Sequence, residues 1–170
     1  MRPPSLPPAA TARRWLPPAA LGLVLVAALA VAALQAPGAL RASATEERRE
    51  AVLAQARQIA VNFTTLDHRT FDEDVALVLD GATGAFRDEF RAGVEQTRAL
   101  VTENESVSTG AVTEAAVVTV DDDSARVLLV VDSEVSNTAS PQPQPRHYRI
   151  EMDLALTGDR WLASDLRFVG

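Results

Sequence analysis

The densest run of titratable side chains is Asp67-His68-Arg69. An imidazole oriented by a carboxylate is the arrangement of a general base. Neighbours in sequence rarely point at one another, however. The run therefore reads as a polar turn between two helices, with Asp67 capping and Arg69 salt-bridged. The other histidine, His147, falls on the outward phase of an alternating segment, and no His-x-x-x-His or His-x-Glu spacing joins either histidine to a metal site. The chain has no cysteine, which removes thiolate ligands, disulfides and a cysteine nucleophile. Asp121-Asp122-Asp123 invites calcium, but no later Glu and turn Gly stand where a calcium loop needs them, and a solvated hairpin tip fits better. Neither a Gly-x-Ser-x-Gly elbow nor a Gly-rich phosphate loop occurs. The glycosylation matches at Asn62-Phe63-Thr64 and Asn104-Glu105-Ser106 are read as chance. Phe63, Phe71, Phe86 and Phe90 suit the wall of a ligand cavity, yet a hydrophobic core needs the same residues. The sequence thus assigns no catalytic residue, no cofactor-binding residue and no metal ligand, and the expectation is a protein that is not an enzyme and uses no cofactor.

Charge sets the next limit. All 16 basic residues are arginine, and the net charge of the 170 residues is −7. It is unevenly spread: residues 1–40 carry +3 and residues 41–170 carry −10. An acidic main domain without clustered cations makes a poor nucleic-acid binder. Residues 1–18 hold six of the ten prolines and read as a disordered cytoplasmic tail. From Ala19 to Leu34 every residue is Ala, Leu, Val or Gly, and no charge intervenes between Arg14 and Arg41. Residues 19–40 are accordingly expected to be a transmembrane anchor, with Trp15 at the interface and Arg13-Arg14 holding the start on the cytoplasmic side. A cleaved signal peptide ending near Ala42-Ser43-Ala44 is the competing reading, and Arg41 lies unfavourably in its path. The expected location is the cytoplasmic membrane, single-pass, with residues 41–170 as an extracytoplasmic domain.

Three helices and then four strands must position whatever that domain does. Val52, Ala56, Ile59, Ala60, Phe63 and Leu66 recur at helical spacing, with Ser43 and Glu46 as a capping box. Thr70 with Glu73 begins a second helix and Gly81 ends it as a left-handed cap. Phe86, Phe90, Val94 and Val101 mark a third. From Val107 the period falls to two. Val112, Ala116, Val118 and Val120 are expected on one face of a first strand. Val127, Leu129, Val131 and Val135 share a face of the second, opposed by Leu128 and Val130, the pattern of a central strand. Beyond the proline-rich loop Ser140–Pro145, the third strand puts Tyr148, Ile150, Met152, Leu154 and Leu156 inward. His147, Arg149, Glu151 and Asp153 then face out. A turn at Thr157-Gly158-Asp159-Arg160 leads to a closing strand from Trp161 to Val169. Helices before an antiparallel meander define an α+β domain, about three helices packed on a four-stranded sheet.

A short tail, one expected membrane span and a helix–helix–helix–meander domain, with four stretches in order, resemble the Mce-associated membrane proteins of actinobacteria over the span and from Thr45 to Val169. The stretches are Asn62-Phe63-Thr64-Thr65-Leu66-Asp67-His68-Arg69-Thr70, Ala82-Thr83-Gly84-Ala85-Phe86, Ser106-Val107-Ser108-Thr109-Gly110 and Arg160-Trp161-Leu162-Ala163-Ser164-Asp165-Leu166. His68 stands where that family usually has an aromatic. The resemblance implies a cystatin-like, nuclear-transport-factor-2-like cone. It implies a non-enzymatic accessory or scaffold subunit of Mce-type lipid or sterol transport at the cell envelope, whose partners are Mce subunits or sibling accessory proteins. Two alternatives stand beside it. Such cones also serve as isomerases, dehydratases or binders of small apolar ligands, the catalytic versions needing an inward Asp or His. Asp132, Glu134, Glu151 and Asp153 are placed outward here. An assembly factor of a secretion system is the other, because type IV secretion scaffolds share the anchor-plus-cone architecture.

Overall fold

The computed structural model describes residues 44–170. The expected tail over 1–18, the expected anchor over 19–40 and Ser43 of the expected first capping box lie outside the described residues. Helix α1 occupies residues 44–64 and buries Val52, Ala56, Ile59 and Ala60 almost completely. The helical stripe was expected to reach Leu66, but Leu66 is extended, in a two-residue strand β1, Leu66–Asp67. Thr64 and Thr65 end the helix. Both are β-branched, which disfavours helix. The Thr64 hydroxyl bonds back to the Ala60 carbonyl at 2.7 Å, while the Thr65 hydroxyl accepts the Gly110 N–H at 3.1 Å.

Helix α2, Phe71–Asp80, begins at Thr70, and its first turn carries Asp72, Glu73 and Asp74 against the positive end of the helix dipole. The expected capping box does not form. Asp74, not Glu73, reaches back: its carboxylate accepts the Thr70 hydroxyl at 3.2 Å and the Asp67 N–H at 2.9 Å. Gly81 ends α2 at φ −84°, so it is not left-handed. Its missing Cβ makes room instead, since that atom would lie 2.9 Å from Ile59 Cγ1.

Helix α3, Gly84–Glu103, closes with a Schellman motif, Ser106 N–H to Val101 O at 2.9 Å and Glu105 N–H to Thr102 O at 3.2 Å. Its left-handed residue is the exposed Glu105, at φ +48°. A non-glycine residue there carries about 1–2 kcal/mol of strain. Glu105→Gly is expected to raise stability by about 0.5–1 kcal/mol, after the extra backbone entropy of glycine is subtracted. Urea unfolding at pH 7 measures it.

Four long strands follow: β2 (Val107–Val120), β3 (Ser124–Ser136), β4 (Gln144–Thr157) and β5 (Arg160–Phe168). With β1 they make a five-stranded antiparallel sheet in sequence order, one short strand more than expected. The α+β arrangement holds, and β3 is central. Inward residues of β3 and β4 alternate as read through Leu154, with Val127, Leu129, Val131, Ile150, Met152 and Leu154 at most 2 % exposed, whereas Leu156, also expected inward, is 36 % exposed. They pack on α1, Val78, Phe86 and Trp161 in one core. A smaller cluster of Phe71, Val75 and Val101 joins α2 to α3.

The first strand departs from its expected phase. Bulges between Val112 and Glu114 and between Val117 and Thr119 each advance the alternation by one residue. Val112, Ala115, Val117 and Val120 therefore face the core, while Ala116 and Val118 face solvent. A third bulge, at Ser164 opposite Asp153 and Leu154, shifts the phase of β5 beyond it; ahead of it Trp161, Leu162 and Ala163 are all buried. The β4–β5 turn places Gly158 at φ +66°, a conformation that favours glycine.

Candidate functional site

Asp67-His68-Arg69 forms the polar turn between α1 and α2. The Asp67 carboxylate accepts the Arg69 N–H at 2.9 Å and grips its guanidinium through Nε and Nη2. Those hydrogen bonds hold the Asp67 carboxyl far below its ordinary range. His68 Nδ1 lies 3.5 Å from the same carboxylate, too far for a hydrogen bond, so no oriented base is assembled. His147 is on the outer face, its Nδ1 2.7 Å from Asp132 Oδ1, and its side chain is 72 % exposed. Asp121–Asp123 is the exposed β2–β3 turn, where Asp122 meets Arg48 at 3.0 Å. Among the described residues no three His, Asp or Glu side chains converge as metal ligands.

The interior is apolar. Among the described residues its buried polar side chains are Thr64 and Ser133, and both serve a structural joint. Ser108 Oγ donates to the Thr64 carbonyl at 2.7 Å and lies 2.9 Å from Ser133 Oγ. With the Thr65–Gly110 bond, this seats the end of α1 on β2. A second joint seats the α2–α3 connection on β5: Ala163 N–H bonds Gly81 O at 2.9 Å, Thr83 N–H bonds Ala163 O at 2.8 Å, and Arg160 pairs with Asp80 at 2.6 Å. The four stretches that carry the family resemblance thus meet in pairs. They fix how helices sit on the sheet, and they bring no reactive groups together.

Phe63, Phe86 and Phe90 do meet, with ring centroids 6.0–6.2 Å apart, whereas Phe71 belongs to the α2–α3 cluster. Phe168 and Tyr148, which the sequence reading left outside this group, extend it: Phe168 is 6.3 Å from Phe63 and 5.4 Å from Tyr148. Two open grooves flank Phe63. One of about 320 Å³ runs between α2 and α3, and one of about 390 Å³ lies between Thr64, Ser108, Tyr148 and Phe168.

The solvent face of the sheet is divided. On β4 and β5, acids alternate with arginines supplied by β3 and β5. Arg126 holds Asp153 bidentately at 2.6 and 2.9 Å, and Arg167 bridges Glu151 and Asp165. Glu151 and Asp153 are outward as read. Their arginine partners were legible only as residues in phase on the neighbouring strands. On β2 and β3 the same face carries an apolar patch: Val118, Leu128 and Val130 are 50, 41 and 36 % exposed. A groove of about 270 Å³ runs past Leu128 and Val130 to Val169.

These ion pairs predict an acid limb. Hydrogen bonds from arginine depress the carboxyls of Asp72, Asp80 and Asp153 as well as Asp67. A carboxyl with a lowered folded pKa contributes stability above its unfolded value of about 4 and loses it as pH falls through the folded value. Thermal unfolding followed by circular dichroism should give a flat Tm from pH 7 to about 5 and a decline below about 4. In Arg126→Gln that decline should be shallower.

A curled antiparallel sheet with three helices on one face is the nuclear-transport-factor-2-like architecture, also found in the periplasmic domains of secretion-system proteins. The fold of the periplasmic domain of DotI is similar, with a TM-score of 0.60 at 15% identity over 71% of this chain and 94% of that one. So is that of an IcmL-like type IV secretion system protein from Legionella pneumophila, at 0.59 and 11% over 71% and 91%. At these identities the likeness is one of fold. Residues 17–170 match the family model described as "Uncharacterized protein Rv1363c/MT1408-like", and the chain belongs to that family. Rv1363c of Mycobacterium tuberculosis is 34% identical over 128 residues, 75% of this chain. The chain spans about half the length of that curated relative, 49%.

Proposed function

We propose that the protein is a membrane-anchored, non-enzymatic scaffold of Mce-type lipid or sterol transport, acting by protein–protein contacts at the outer face of the cytoplasmic membrane. The observation that carries this reading is the distribution of polar and apolar groups over the sheet. The buried polar side chains are spent on the α1–β2 joint, while large apolar side chains stand in solvent on β2 and β3. A catalytic cone needs the reverse, a reactive group within an apolar interior. An exposed apolar patch on a charged surface is what a binding protein keeps. The unbroken apolar run Ala19–Leu34 supports the anchor, and the four matched stretches support the Mce assignment.

Deleting the gene is expected to lower the abundance of Mce subunits and the uptake of labelled lipid together. Unchanged levels of both would overturn the reading. The DotI and IcmL-like folds favour a second reading, an assembly factor of a secretion system. Neighbouring genes separate the two: Mce permease and substrate-binding genes support the first, conjugation ATPases the second.

A further inference from the structure

Strand β2 is 14 residues long, yet β1 pairs only with its first two, Val107 and Ser108. From Thr109 to Val120 its outer edge meets no other strand among the described residues. Gly110 N–H is satisfied by Thr65. The rest of the edge finds no backbone partner among the described residues, the state that sheets ordinarily block with Lys, Pro or a covering element. No Lys or Pro occurs between 109 and 120, seven of those twelve residues are Val or Thr, at 109, 112, 113 and 117–120, and one residue, Glu114, is charged. The two bulges break the edge into short runs, which suits a limited partner and discourages open-ended stacking. Beside the edge lies the apolar groove floored by Ala116, Leu128 and Val130.

We propose that the open edge of β2 is a docking strand, which takes an extended, basic segment of a partner protein as an added antiparallel or parallel strand. Main-chain bonds along β2 supply the affinity, and the groove receives alternate apolar side chains. Charge selects the partner. Glu114 stands on the edge, Asp121 and Asp123 at its end and Glu134 beside it on β3, with Asp122 and Asp132 already facing Arg48 and His147. Arg126 is held by Asp153, and Arg149, on the groove wall, is outnumbered by these acids. A second copy of this chain would bring another domain of charge −10. A segment rich in Arg or Lys meets no such repulsion. The inference rests on the scaffold reading for the partner being a protein, and it names the surface used.

The test places p-benzoylphenylalanine at Val118 in the full-length chain, irradiates the native host, and sequences the cross-linked peptides. The expected adduct is a peptide of another protein in which Arg and Lys outnumber Asp and Glu. Its yield should fall about tenfold in a Glu114→Arg background. Glu114→Gln should give a smaller loss, and Asp88→Arg, on the exposed face of α3, none. An adduct on a second copy or on residues 1–43, no adduct, or a yield indifferent to Glu114→Arg overturns the inference. An adduct on a basic strand of a protein outside the Mce system would keep the docking strand and remove the proposed function. Mce subunits recovered without the Val118 adduct would do the opposite.

Discussion

Gly110→Ala should destabilise the domain by about 3 kcal/mol, at the upper end of what overpacking costs. A Cβ on Gly110 would lie 1.9 Å from Thr64 Oγ1 and 2.7 Å from Thr64 Cβ, with the Thr64 carbonyl carbon at 3.3 Å. Neither side has room to retreat. The Thr64 hydroxyl is tied to Ala60 O at 2.7 Å, and Ser108 and Thr65 bolt the helix end to the strand on both sides of the contact. For a domain of this size the loss lowers Tm by roughly 10 °C. Gly93→Ala is the control. Nothing lies within 4 Å of the added carbon, so the mid-helix gain of up to about 1 kcal/mol should raise Tm. A Gly110→Ala variant as stable as the parent would mean that α1 does not sit on β2 as described.

Leu129→Ala should cost about 3–4 kcal/mol, and Leu128→Ala less than about 1. The two leucines are adjacent on β3 and chemically identical. Leu129 is 2 % exposed in the main core, while Leu128 is 41 % exposed over the outer groove. Truncating Leu129 leaves a cavity that the surrounding strands and α1 cannot fill. Truncating Leu128 removes a group already in water. Urea unfolding of the pair measures the contrast, and equal costs would show that the outer face is buried.

Adjacent residues with opposite fates were legible in β3 and β4 because their pairing is unbroken from Ser124 to Val135. Each inward position could be counted from the last. In β2 the count failed, since a bulge changes phase through backbone geometry that side-chain hydropathy does not encode. The end of α1 failed differently: Leu66 fits a helical stripe, and contacts with β2 some 42 to 45 positions away, from Ser108 to Thr64 and Leu66 and from Gly110 to Thr65, hold the chain extended there. Gly81 was read as a conformational requirement, whereas contact with Ile59 is what excludes a side chain. The polar turn at Asp67-His68-Arg69 was legible because its partners are its neighbours. The Phe63–Phe168–Tyr148 cluster and the open edge of β2 were not, since both arise from which strands become neighbours.

The central claim is a partner-binding scaffold in the Mce system, and the most direct test is composition. Tagged full-length protein, extracted from its native membrane in mild detergent and captured, should bring Mce substrate-binding and permease subunits into the mass spectrum. Recovery of the protein alone, or with the ATPases of a secretion system in their place, would contradict the account.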